Sequence, residues 1–360
     1  MDVSRHFSAT YREARRKFLD AGGTAGCKME SFEYPLPGPG GERLFTDVAR
    51  YGPADAEKLL VTISATHGVE GFCGSALQTG WLEERLHRQM PEGVALMHVH
   101  AINPYGFAWL RRVTHENVDL NRNFIERFAQ PPANEDYETL HPILCPEEWN
   151  DSVIAETQGR LRAYARAHGR YRIQRAIAGG QYRHPDGLFY GGGAPTWSNV
   201  VLERIFGTIR ARRAAVIDYH SGLGPRGKGE RICIHPVDSG NFRLADRWYN
   251  GDIASPALGN SVTVAKPGAS LAGMQKAARH TEIVMIALEF GTLPAGDVTL
   301  ALRADNWLHH HGEVDSSKGR AIKRQIRDAF YCDEVAWKQS IWERALATQR
   351  LAVEGLAAGE

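Results

Sequence analysis

"TISATHGVEGFCGSALQTGWL", Thr62 to Leu82, opens like a buried strand and closes like a helix, with His67-Gly68-Val69-Glu70 at the junction. The strand half extends back to Lys58 as "KLLVTISA", a nearly continuous apolar run of the kind a strand needs when it is covered on both faces. The helical half runs on through "FCGSALQTGWLEERLHRQ", and "GVALMHVHAINP" follows as a second strand ended by a proline. Strand, helix, strand in that order predicts a right-handed crossover and a mainly parallel sheet. A histidine and a carboxylate three residues apart at the exit of such a strand suit either a metal or a polar loop.

The flanking sequence fills out the pattern. "SATYREARRKFLDAGG" predicts a helix with Ser8 or Thr10 as cap and Gly22-Gly23 as stop. "ESFEYPL", "PGPGGE" and "LFTDVARYG" read as strand, turn, strand. The middle, about 129–199, reads as an irregular insertion with Pro131-Pro132, a polar helix-like piece ("AETQGRLRAYARAH") and the glycine-rich "GLFYGGGAP". Long decorated loops in compact domains are often functional. The regular pattern then resumes with "VLERIFGTIRARR" as helix, "AAVIDYHSGLG" as strand into loop and "IVMIALEFGT" as another buried strand. A long amphipathic helix or a pair of helices closes the chain, about 318–356. The expectation is one α/β domain over residues 1–360, a mainly parallel, mixed twisted sheet flanked by helices.

Bulk properties exclude several classes of function. The chain has 360 residues, 43% hydrophobic and 24% charged, as in an ordinary globular protein. Lys and Arg (43) balance Asp and Glu (42), so no net charge draws it to nucleic acid or an anionic membrane. Its five cysteines are odd in number, far apart and never in C-x-x-C spacing, which argues against a disulfide framework or a cysteine-rich zinc site. No apolar run approaches the ~20 residues of a membrane span, and the charged N-terminus lacks the apolar core of a secretory signal. These features read as a reducing, cytoplasmic setting.

In a parallel α/β sheet, sites gather at the carboxyl ends of strands. His67 with Glu70, His220 after "AAVID" and Glu289 late in "IVMIALEF" share that context. A catalytic zinc takes three protein ligands, often two His and one Glu, and keeps a fourth position for water. His67, Glu70 and His220 supply that set, and Glu289 is the candidate for taking the water's proton. Two-His-one-carboxylate sites also serve Fe(II). A second H-x-x-E, His310 to Glu313 in "NWLHHHGEV", does not follow an apolar strand. His98 and His100 share one face of a strand and read as packed or hydrogen-bonded histidines.

A further stretch, "NPYGFAWLRRVTHENVDLNRNF" (Asn103 to Phe124), taken with "THGVEG", "DYHSG" and "ALEFGT", resembles the zinc metallocarboxypeptidase superfamily, including its succinylglutamate desuccinylase and aspartoacylase type amidohydrolases. The shared order is H-x-x-E, an arginine, an N-R pair, a histidine followed by serine, and a glutamate on a late strand. The resemblance spans roughly Leu59 to Thr292 in short blocks and implies that superfamily's α/β fold. It implies zinc, one ion per chain, on His67, Glu70 and His220, with Glu289 as general base and acid. It also implies an arginine that polarises the scissile carbonyl, Arg112 in preference to Arg111, and a substrate carboxylate held by Asn121 and Arg122. A guanidinium fork suits bidentate carboxylate binding. A structural ion pair between Arg122 and Asp119 is the competing reading.

The inserted "GQYRHPDGLFYGGGAPTWSN" departs from the digestive carboxypeptidases. Their mobile tyrosine has no clear counterpart: Tyr249 lies in the right interval without the context, and Tyr190 in "LFYGGG" could reach the site from the insertion. Trp197, His184 and Ser221 are weaker candidates. The expected activity is hydrolysis of an amide bond next to a free carboxylate in a small peptide, with an N-acyl amino acid deacylase as the alternative. A metal-dependent binder of an acidic ligand, without catalysis, is the rival from another class.

Overall fold

A computed structural model describes residues 2–358. Seven strands form one sheet in the order β1-β2-β4-β3-β5-β7-β6. They are β1 (Lys28–Glu33), β2 (Phe45–Tyr51), β3 (Lys58–Ile63), β4 (Val94–His100), β5 (Arg213–Arg226), β6 (Gly229–Cys233) and β7 (Glu282–Gly291). Strands β4, β3, β5 and β7 pair in parallel, while β1, β2 and β6 add antiparallel margins. The sheet is mixed with a parallel centre.

Twelve α-helices are described: α1 (Tyr11–Ala25), α2 (Gly71–Glu83), α3 (Pro104–Ala108), α4 (Glu135–Leu144), α5 (Asp151–His168), α6 (Arg170–Ala178), α7 (Trp197–Gly207), α8 (Gly240–Trp248), α9 (Ser270–Ala277), α10 (Ala295–His311), α11 (Ser317–Phe330) and α12 (Val335–Ala358). Side chains alternate across a strand, and the sheet is buried on both sides accordingly. Leu60, Ile217 and Leu288 pack with Phe18, Leu77 and Trp342 on one face. Val61, Val216 and Met285 pack with Leu202, Ile205 and Met274 on the other. That two-sided burial is why the central strands read as continuous apolar runs.

Two readings of the sequence change and one left open is decided. Helix α1 starts at the Thr10 cap but continues through Gly22-Gly23 to a left-handed Gly26. Gly22 serves close packing instead, since a Cβ there would lie 2.7 Å from Met29 Sδ. The middle of the chain is not mainly irregular, because α4, α5 and α6 occupy it. The C-terminal segment is a pair of helices, α11 and α12. No helix among the described residues is long and apolar enough to cross a membrane, and all five cysteines are free.

Candidate active site

The turn after β3 explains why the sequence reads His-Gly-Val-Glu. Ala65 adopts a left-handed backbone (φ +58°) that redirects the chain out of the sheet. Gly68 to Glu70 then form one turn of 3-10 helix, in which residues three apart eclipse one another. His67 and Glu70 therefore face the same way, with Nδ1 and Oε1 2.9 Å apart. The turn is docked on the chain before Asp119: Gly68 and Val69 N–H groups donate to Arg112 and Arg111 carbonyls at 3.1 and 2.8 Å. A Cβ at Gly68 would sit 2.0 Å from the Gly106 carbonyl carbon, so only glycine fits.

Strand β5 delivers the third group. His220 Nδ1 lies 2.9 Å from Glu70 Oε2 and 3.2 Å from His67 Nδ1. Ligand atoms of His67, Glu70 and His220 all fall within 4.8 Å of one another, and all three residues are buried. Two imidazole nitrogens and a carboxylate meeting at such distances form a donor set suited to a divalent cation.

The outer nitrogens strengthen that fit. Nε2 of His67 is 3.2 Å from Asp119 Oδ1, and Nε2 of His220 is 3.0 Å from Asp218 Oδ2. A carboxylate behind each imidazole is the usual way a metal-ligating histidine is oriented. Burial works against the charged His220, but Asp218 and Glu70 outweigh it and raise its pKa well above the usual range. Burial likewise opposes ionisation of Glu70, and His67 and His220 overcome it to hold that carboxyl low. Asp218 did not figure in the sequence reading, and Asp119 figured there only as an ion-pair partner for Arg122. The signal for Asp218 was its i, i+2 relation to His220 on one strand, which puts both side chains on one face.

Glu289 is the cross-strand partner of His220, and its Oε1 accepts from the Leu223 N–H at 2.9 Å. Burial, with the Glu70 charge nearby, pushes its pKa up to about 7. A carboxyl poised near neutrality is what proton exchange at neutral pH requires.

The arginine doublet splits by placement. Arg112 turns inward, with Nη1 3.1 Å from Glu70 Oε1, Nη2 2.8 Å from His67 Nε2 and Nε 3.0 Å from Asp119 Oδ2. Arg111 turns away to Asp305 and Asn117, at 3.3 and 3.0 Å. Arg122 is buried, and its guanidinium donates to the Asn121 and Ala178 carbonyls at 3.0 and 2.5 Å. It also stands 3.6 Å from Asp119, so the ion pair foreseen for it is present. Asn121 Oδ1 accepts from the Ser270 N–H at 3.1 Å.

These groups open into a cavity of about 760 Å³. Helices α5 and α6 roof it through Leu161, Ile173 and Ile177, and α10 contributes Val298 and Leu302. Gln174 Nε2 ties α6 to the Val262 carbonyl at 2.8 Å. Tyr190, proposed from the sequence, is not among the lining residues, whereas Phe189 is. The segment is pinned by its backbone, with the Asp119 N–H donating to the Tyr190 carbonyl at 2.8 Å. Phe189 has a left-handed backbone (φ +55°) that turns the chain between the two rings. Lys266, on the loop before α9, also lines the cavity and was not foreseen.

Of the remaining candidates, only Ser221 lies at the cavity. Tyr249 is buried in the core under Arg231. Trp197 packs edge-on against Tyr34. His184 stacks on His141 with ring centroids 3.8 Å apart. Ser221 lines the cavity, and its N–H donates to Glu70 Oε2 at 3.2 Å. His310 and Glu313 join no metal-sized cluster among the described residues. His98 and His100 are packed histidines bonded to Thr62 (2.7 Å) and Ser75 (2.9 Å), and burial pushes them down to about 3 and 4.

The fold and donor set define an α/β protein with a buried His-Glu-His centre at the carboxyl end of its parallel strands. The chain belongs to the family described as "Protein of unknown function (DUF2817)", whose family model matches residues 7–344. No curated protein sequence matches it. Among solved structures it is similar to carboxypeptidase A from Helicoverpa armigera, with 11% identity, coverage of 91% of this chain and 75% of that one, and a TM-score of 0.47. It is also similar to murein-tripeptide amidase MpaA from Escherichia coli O157 (14% identity, 82% and 91% coverage, TM-score 0.35). Glutaminyl cyclase from Porphyromonas gingivalis shows a further likeness (10% identity, 96% and 97% coverage, TM-score 0.37).

Proposed function

We propose that this protein is a zinc-dependent hydrolase that cleaves an amide bond next to a free carboxylate, in the manner of a carboxypeptidase. The observation that carries the reading is the meeting of His67, His220 and Glu70 within 4.8 Å, with Glu289 paired to His220 across the strands and no fourth ligand joining the set among the described residues. Structural zinc sites are normally closed by four ligands, whereas catalytic ones keep a position open.

His67, Glu70 and His220 would hold the ion. When bound, zinc supplies Lewis acidity that brings the pKa of a water down to near neutrality. Glu289 takes the water's proton at its carboxylate and returns it to the leaving amine, a transfer suited to a group near pH 7. Arg112, steadied by Asp119, offers N–H donors to the carbonyl oxygen as negative charge develops there. Asn121 and Arg122 lie along the cavity wall where the substrate's carboxylate would be held. The apolar roof excludes water from the reacting bond.

The test combines elemental analysis of purified protein with a screen of short peptides against N-acyl amino acids. Zinc near one equivalent and turnover of peptides would support the reading. Turnover of N-acyl amino acids alone would move the substrate to the deacylase class. Absence of any bound or bindable divalent metal would overturn it.

A further inference from the structure

We propose that Lys266 is a specificity residue of this cavity: its ammonium receives a second anionic group, a side-chain carboxylate, on the substrate residue whose α-carboxylate lies at Asn121 and Arg122. The inference rests on the hydrolase reading for the orientation of the substrate and on the chain's own packing for the rest.

Lys266 is held in place by its neighbours. Gly268 has φ +71°, and a Cβ there would lie 2.2 Å from the Arg122 carbonyl oxygen, so the loop runs flush against the Arg122 backbone. The Phe124 N–H donates to the Gly268 carbonyl at 3.1 Å, and the Ser270 N–H to Asn121 Oδ1 at 3.1 Å. These contacts join the segment carrying Lys266 to the one carrying Asn121 and Arg122, so the two cations share one wall of the cavity.

Asp119 and Glu289 act on the ammonium only from a distance, and it forms no ion pair among the described residues. Its hydrogen-bond partner is Thr263 Oγ1 at 3.4 Å, long and neutral, and no carboxylate lies within 4.0 Å of it among the described residues. The other shielded lysines differ: Lys323 bonds Asp305 and Lys338 bonds Asp333, at 2.6 and 2.5 Å. Burial and the nearby Arg122 charge push Lys266 down to about 8, so it still carries its charge at neutral pH. A shielded ammonium without a partner is costly, and an incoming carboxylate would offset that cost. Arg122 cannot serve both anions, since it already donates to two carbonyls and pairs with Asp119.

Glutarate and its monoamide, glutaramate, separate one carboxylate from two at constant size. Binding to the zinc-loaded protein is measured by titration calorimetry, with folding of each variant checked by circular dichroism. Wild type is expected to bind glutarate at least ~10-fold more tightly than glutaramate, the scale of one charged hydrogen bond. Lys266→Met should bring that ratio close to one, and Lys266→Arg should keep part of it. A ratio near one in wild type, a ratio that survives in K266M, or no binding of glutarate would each overturn the proposal. Peptides and N-acyl amino acids ending in Glu or Gln are then assayed for turnover. If the binding ratio holds but nothing is hydrolysed, the hydrolase reading fails and the role of Lys266 stands. If turnover occurs without the ratio, only the role of Lys266 fails.

Discussion

His220 and Glu289 stand opposite one another on the parallel strands β5 and β7. Paired positions on neighbouring strands carry their side chains on the same face, about 4.8 Å apart at the backbone. The sheet itself thus sets the separation between the imidazole proposed to hold the metal and the carboxylate proposed to move protons, independently of any loop.

Removing a ligand should remove the metal. His67→Ala, Glu70→Ala and His220→Ala are expected to purify with little zinc by elemental analysis. Asp218→Asn keeps all three ligands but loses the carboxylate behind His220. It should weaken zinc binding about 10- to 100-fold, as changes of this kind do. Full zinc content in all three alanine variants would sink the assignment.

Glu289→Gln preserves shape and removes the proton carrier. It should retain zinc while lowering turnover by about 10²- to 10⁴-fold, the usual contribution of general acid-base catalysis. Turnover within a factor of two of wild type would take Glu289 out of the mechanism and favour a role in binding alone.

Arg111 and Arg112 should fail in different ways. Arg112→Lys, next to Glu70 and His67, should depress kcat with little change in thermal stability. Arg111→Met strips a partner from buried Asp305 and should lower the melting temperature. Substitution of Arg111 that cut kcat selectively would reverse the roles of the pair.

The Asp305 cluster also predicts a pH dependence. Burial opposes its ionisation, but Lys323, Arg111 and His309 hold its pKa below the usual value. A carboxyl depressed on folding adds stability that is present above its unfolded pKa, about 3.9, and is lost as pH falls through the folded one. Asp305→Asn should therefore cost about 3 kcal/mol at pH 7, since it leaves Lys323 unpaired. The gap between wild type and variant in denaturant titrations should shrink below pH 4. A gap constant from pH 7 to pH 3 would contradict this account.

Much of the centre could be read before any coordinates. Strands β3, β5 and β7 are buried on both faces, so their apolar runs and the polar residues at their ends stand out in sequence. The spacing of His67 and Glu70 reports one tight turn and needs no long-range knowledge. Asp119 was legible only as a partner of Arg122 and not as a neighbour of His67, and Lys266 not at all, because both places depend on which backbones pack together 52 and 199 residues after His67. Of the roof, α5 read as a polar helix-like piece although only Thr157 within it is buried, while α6 did not stand out from the irregular sequence around it. Tyr190 was named where its neighbour Phe189 lines the cavity, at a left-handed turn the sequence does not announce.

The helical roof has a consequence for size. A chamber of about 760 Å³ lies within the range that suits a small organic molecule. Helices α5 and α6 line one side of it, and Gln174 ties α6 to the Val262 carbonyl at 2.8 Å. If the proposed chemistry holds, substrates are expected to be small free fragments, and turnover of peptides of increasing length should fall as they outgrow the chamber.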